Sequence, residues 1–191
     1  MNPFDAVVTL RPSPPMRPLW WRRCLLLLGS ISLWFVPAVM SQELSEYKLK
    51  AAFLYNFAAF TEWPPHVGSV LNLCVYGRDP FDAEIDGLNG KSIGQRKIVV
   101  QRKNNSGTAT GCQIVFIADA EIDQLPRLLD SLRGLPALTV TESRGGARQG
   151  AALNMNLVHG KVTFEANLVA ARAAGLHLSS RMLSLATEVI Q

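Results

Sequence analysis

Cys74 and Cys112 are the residues of this 191-residue chain best equipped for chemistry. In an oxidising compartment such a pair closes a disulfide; reduced, it is two buried thiols. The third cysteine, Cys24, follows Arg22 and Arg23 and opens an apolar run, so it belongs to another part of the chain. His66, His159 and His177 stand at no metal-ligand spacing with one another or with a cysteine. Asp79, Asp82, Glu84 and Asp86 crowd one short segment. They lack the glycine and the spacing of a calcium loop and read as a solvated helix face. The sequence contains no nucleophile elbow, no dinucleotide fingerprint and no Walker loop. One loop, Arg144-Gly145-Gly146-Ala147-Arg148, joins two guanidinium groups to a glycine-rich backbone. That is the chemistry of an anion cradle, and the loop follows a strand, where open α/β sheets place ligands. The alternative is a flexible connection. Arg172, His177 and Arg181 are candidates for a polar contact surface.

These residues need a scaffold, and its centre is SEYKLKAAFLYNFAAFTEWPP, residues 45–65. Tyr47, Ala51, Leu54, Ala58 and Thr61 repeat at helical spacing, with Phe53, Phe57 and Phe60 on the next stripe. Ser45 is placed to cap this helix, with Glu46 at its positive end. Trp63-Pro64-Pro65 stops it, because proline disfavours helical geometry in the residue before it. A helix this apolar is expected to be covered on nearly every side by a sheet.

Short apolar runs at 70–76, 96–102, 112–118 and 137–141 read as strands. Between them, 81–88 and 119–132 read as helices, 104–111 as a loop and 143–150 as a glycine-rich loop. Runs 151–158 and 161–166 alternate about His159-Gly160, the pattern of a hairpin. Asn167 is placed to cap a helix ending at Gly175, and 179–189 reads as a last helix. Strands alternating with helices predict a single α/β domain, and the hairpin makes its sheet mixed.

Residues 1–41 differ in kind. Arg11, Arg17, Arg22 and Arg23 precede an apolar run over 24–40, the pattern of a signal peptide cut after Ser41. Met16 is an alternative start, and an uncleaved anchor is the alternative reading of the run. The whole chain carries 19 basic and 15 acidic residues. Removing the four arginines and Asp5 leaves 15 and 14, a net charge of +1. The basic excess therefore belongs to the leader and does not point to nucleic-acid binding. Residues 42–191 make one ordinary domain, and in an exported protein Cys74 and Cys112 read as one disulfide.

The blocks EYKLKAAFLYNFAAFTEWP, LCVYGRDPF, CQIVFIA and NLVHGKVTFEANLVAARAAGLHLSSRMLSLA lie in this order along the chain. Together they resemble the YfiR-type family of periplasmic repressors. The resemblance implies a single α/β domain without catalytic activity or cofactor. It implies binding to the periplasmic sensor part of an inner-membrane diguanylate cyclase, which keeps cyclic-di-GMP synthesis low. It further implies sequestration by an OmpA-like outer-membrane lipoprotein, and a homodimer. Cys74 and Cys112 match the family's cysteines in these strands. Some members carry a second pair nearer the C-terminus, but no cysteine follows Cys112 here. Against this binding protein stand two other expectations: a periplasmic small-ligand sensor or solute-binding module using the Gly145-Gly146 loop, and an exported enzyme with an unrecognised site.

Overall fold

The computed structural model describes residues 39–103 and 108–191, with side chains from Glu46 onward. The expected leader, apart from its last three residues, and half of the 104–111 loop lie outside the described residues. Helix α1 (Val39–Ala59) starts six residues before Ser45, which therefore sits inside the helix and does not cap it. The preceding residues include Met40, Gln42, Glu43 and Leu44, good helix formers with no glycine or proline to stop the run. At the far end the helix closes with side chains. Thr61 Oγ1 donates to the Phe57 carbonyl at 2.7 Å, and Trp63 Nε1 to that of Ala58 at 2.9 Å. These bonds satisfy carbonyls that a helix C-terminus leaves unpaired.

Beyond α1 come β1 (Thr61–Glu62), β2 (Val70–Tyr76), α2 (Ala83–Asp86), β3 (Ser92–Ile93), β4 (Arg96–Lys103) and β5 (Ile114–Ile117). A 3-10 segment (Asp119–Gln124) then leads into α3 (Leu125–Ser131). The expected single helix over 119–132 is thus split. Pro126 falls in the first turn of α3, the place where a missing N–H costs nothing. The chain continues through β6 (Leu138–Thr141), β7 (Leu153–Val158), β8 (Lys161–Asn167), α4 (Leu168–Ala173), β9 (His177–Leu178), α5 (Ser180–Leu183) and β10 (Glu188–Ile190). The last helix expected over 179–189 is one turn only; its second half turns out and becomes β10. β-branched Thr187, Val189 and Ile190 suit a strand better than a helix. The expected Asn167 cap forms, and Ser179 caps the next helix in the same way. Asn167 Oδ1 accepts from the Ala170 N–H at 2.9 Å, and Ser179 Oγ from that of Met182 at 3.3 Å.

Eight strands form one mixed sheet in the order β10-β8-β7-β6-β5-β2-β4-β3. The core strands β4, β2, β5, β6 and β7 run parallel; β8 turns back antiparallel on β7, and β10 lies parallel to β8. A separate two-stranded pair, β1 with β9, ties the exit of α1 to the segment after α4. One face of the large sheet is apolar throughout: Leu71, Leu73, Ile114, Phe116, Leu138, Leu153, Met155 and Phe164 share a core with Leu54, Phe57 and Ala58 of α1. Phe57 meets Phe164 edge-on at 5.0 Å between centroids, and Phe53 meets both rings. Each such buried Leu or Phe stabilises the fold by about 1.5–3 kcal/mol. The near-complete burial expected of α1 is not found. Ala52, Asn56 and Ala59 form a solvent stripe, and because two of the three are alanine their exposure costs little. The opposite face is covered by α3, where Cys74, Val115 and Ile117 meet Leu125 and Leu128.

The β7–β8 turn is His159-Gly160, with φ of 50° and 73°. Both residues are left-handed, as a two-residue hairpin turn of this hand requires. Left-handed backbone costs an ordinary L-residue roughly 1–2 kcal/mol, and asparagine tolerates it best after glycine. His159→Asn should therefore raise stability by up to about 1 kcal/mol. A thermal midpoint unchanged or lowered in that variant would show that the His159 side chain has a role of its own.

Candidate functional site

Cys74 of β2 and Cys112, two residues before β5, form a disulfide with Cα atoms 5.9 Å apart. The strands are parallel neighbours, so the bridge staples two adjacent core strands across 38 residues of sequence. Both cysteines are buried, Cys74 completely.

Farther along the face on which α3 packs, cross-strand register makes a polar row. Thr141, Asn154, Glu165 and Glu188 are successive partners across β6, β7, β8 and β10. Since side chains alternate along a strand, partners in register point to the same face. Thr141 Oγ1 donates to Asn154 Oδ1 at 2.6 Å, and Asn154 Nδ2 reaches Asn156 Oδ1 at 3.1 Å and Glu165 Oε2 at 3.4 Å. The 143–150 loop roofs this row. Arg148 Nη2 grips both oxygens of Glu188, at 2.7 and 2.9 Å. That pairing, and behind it the charge of Glu165, holds the guanidinium even more firmly protonated. A Cβ at Gly146 would overlap Thr141 Oγ1 and crowd Asn154 Oδ1, so only glycine lets the loop lie on the row.

The 143–150 loop and the Arg172–His177–Arg181 segment are the two candidate regions from the sequence, and Asn167, the cap of α4, bonds the first to the second. Within the loop, the N–H groups of Gly146, Gln149, Gly150 and Ala151 bond to loop carbonyls, and Ala147 O accepts from Asn167 Nδ2 at 2.8 Å. The backbone is thus largely committed to its own turn, while Arg144 stays exposed and Arg148 faces Glu188. The loop follows β6. The topological switch point lies one strand away, between β2 and β5, whose onward connections run to opposite sides. There the Glu121 side chain lies against Gly77, which has φ of 88° and no room for a Cβ. Arg172 on α4, His177 opposite Glu62 on the small sheet, and Arg181 with its guanidinium 5.7 Å from the Phe60 ring centre are all exposed. No cluster of three metal-ligating side chains occurs among the described residues.

A further group was not anticipated. Lys50 Nζ lies 2.6 Å from Glu142 Oε2 and 2.5 Å from Glu46 Oε1, and the Tyr47 hydroxyl donates to Glu142 Oε1 at 3.5 Å. The Lys50 and Glu142 side chains are each only 6% exposed. This ion pair fixes the middle of α1 to the carboxyl end of β6. Burial alone would push the Lys50 ammonium down, but its bonds to Glu142 and Glu46 outweigh that and hold it above its usual range. Burial, then the Glu142 charge, raises the Tyr47 hydroxyl as well. For groups raised in the folded state, the stabilisation is complete below the unfolded value and is lost as pH climbs through the folded one. The stability gap between wild type and Lys50→Met should therefore be constant through neutral pH and narrow above about pH 10. Denaturant titrations across that range test it; a gap unchanged to pH 12 would remove the charge from the account.

Residues 47–187 match the YfiR/HmsC-like family, from Tyr47 on α1 to the residue before β10. The chain belongs to the YfiR/HmsC-like family. The family match spans the α1 core, the disulfide, the polar row as far as Glu165, and the Arg172–His177–Arg181 surface. YfiR/HmsC-like membership supports, in general terms, a periplasmic regulator of cyclic-di-GMP signalling. No helix among the described residues is long and apolar enough to cross a membrane.

Proposed function

We propose that this protein is a periplasmic negative regulator that binds the sensor part of an inner-membrane diguanylate cyclase and so limits cyclic-di-GMP synthesis. The observation that carries the reading is the family match over nearly the whole folded chain. The disulfide agrees with it, because such bonds persist in oxidising compartments, and so does the leader-like start. The regulator acts by contact, without chemistry or a cofactor of its own. It can restrain the cyclase only by as much as it binds the inactive sensor more tightly than the active one. Exposed Arg172, His177 and Arg181, with the 143–150 loop, supply the contact surface. An OmpA-like lipoprotein of the outer membrane relieves the restraint by competing for the regulator, which acts as a homodimer.

Deleting the gene should raise cellular cyclic-di-GMP and favour biofilm over swimming. Unchanged nucleotide in a strain that carries the partner cyclase would overturn the proposal. A second reading, a small-ligand sensor or solute-binding module, draws on the roofed polar row of Thr141, Asn154, Glu165 and Glu188. A thermal shift with small metabolites, and none with the cyclase ectodomain, would favour it.

A further inference from the structure

Between the end of α3 and α4 lies a half-open cavity of about 240 Å³. Leu129 and Leu132 form one wall, and Ala170, Ala173 and Ala174 of α4 form the other. The floor is Thr139, which is 4% exposed. Its hydroxyl accepts the Ala152 N–H at 2.9 Å, so the floor is already occupied in its own hydrogen bonding. The hollow lies where two separately packed clusters meet: Leu129 and Leu132 belong with the cluster under α3, Ala170 and Ala174 with the one under α1. Gly150 cannot fill it, since a Cβ there would press on Leu129 Cδ1 and its φ is 108°. The single charged side chain on the lining is Arg133, at the mouth. It is mostly exposed and holds Asp130 at 2.6 Å through Nη2. An exposed pair of this kind is worth little and rearranges readily, and a guanidinium has five N–H donors to share.

We propose that this cavity binds a small aliphatic carboxylate, with its hydrocarbon chain against the Leu and Ala walls and its carboxylate on Arg133. An apolar cavity of about 150 Å³ holds a benzene ring, so this one accepts an apolar body of roughly six to nine heavy atoms. Amines are disfavoured by the like charge of Arg133. Uncharged alcohols of equal length gain the walls but not the charge-assisted hydrogen bond. The site goes beyond the repressor reading and does not depend on it. Loss of ligand binding leaves the deletion phenotype unaltered, so the two fail separately.

The experiment is an amide-resonance titration of the purified protein with hexanoate, hexanol and hexylamine. Hexanoate should shift Gly134, Gly150 and Ala173, with a Kd on the order of 1 mM, the scale expected of so few heavy atoms. Arg133→Gln should weaken hexanoate about tenfold while leaving hexanol within about twofold. Ala173→Leu, at an exposed helical position that tolerates leucine, should abolish both. Equal affinity of wild type for hexanoate and hexylamine, shifts confined to other residues, or hexanoate binding unaltered by Arg133→Gln would overturn the site.

Discussion

Replacing Lys50 by methionine should lower the unfolding free energy by about 3–5 kcal/mol, the usual consequence of stranding one half of a buried ion pair. The substitution removes the cationic partner of Glu142, and leaves Glu46 beside it with like charge. Two carboxylates sharing a buried site cannot both stay ionised without cost. Lys50 also packs over the Tyr47 ring at 4.5 Å, so its loss loosens the Tyr47–Phe81–Phe116 edge-on stack that follows. The damage should be local to the carboxyl end of β6 and the middle of α1. The double variant Lys50→Met/Glu142→Gln should regain much of the loss, because it removes the stranded charge together with its partner. Equilibrium denaturation of wild type, both single variants and the double forms a complete cycle. If the double variant is as unstable as the sum of the singles, the two side chains act independently and the clamp does not exist.

Breaking the disulfide should have an effect of similar size by a different route. Cys74→Ala or Cys112→Ala frees a 38-residue segment in the unfolded chain, which costs about 4 kcal/mol in the chain-entropy account. Domains of this size hold only about 5–15 kcal/mol in total. The variants should be scarce in the periplasm through unfolding and proteolysis, and the cyclase should then escape restraint. The double substitution should resemble either single one, since each already abolishes the bridge. Thermal midpoints and periplasmic abundance decide the matter. Single variants as stable and as repressive as wild type would reduce Cys74 and Cys112 to ordinary core residues.

Much of this architecture is local in origin and therefore readable residue by residue. The strand at 70–76, the His159-Gly160 hairpin and the Asn167 cap each follow from a few neighbouring side chains. What escaped depends on distance. Lys50 and Glu142 are 92 residues apart, and no periodicity along α1 reveals which of its polar residues will meet a strand end. The polar row was half visible: Asn154 and Asn156, then Thr163 and Glu165, alternate with apolar residues on either side of the hairpin. Their alternation marks a polar face, but only the register of β6 and β10 adds Thr141 and Glu188. The two errors at element ends have a common cause. Without a breaker ahead of Ser45, or between Leu183 and Glu188, propensity alone leaves the boundary undetermined, and tertiary contacts decide it. At the C-terminus those contacts are the Thr187 N–H and hydroxyl, both donating to the Phe164 carbonyl, which turn the chain alongside β8.

In the proposed function this protein holds a cyclase sensor in check by direct contact. The most direct measurement is a pull-down with the tagged protein from periplasm and solubilised membranes, followed by identification of what is retained. Wild type should retain an inner-membrane protein with a diguanylate cyclase domain, and Arg172→Glu/Arg181→Glu, altered only at exposed positions, should lose it while remaining folded. Retention of no cyclase by wild type, in membranes shown to contain one, would contradict the account.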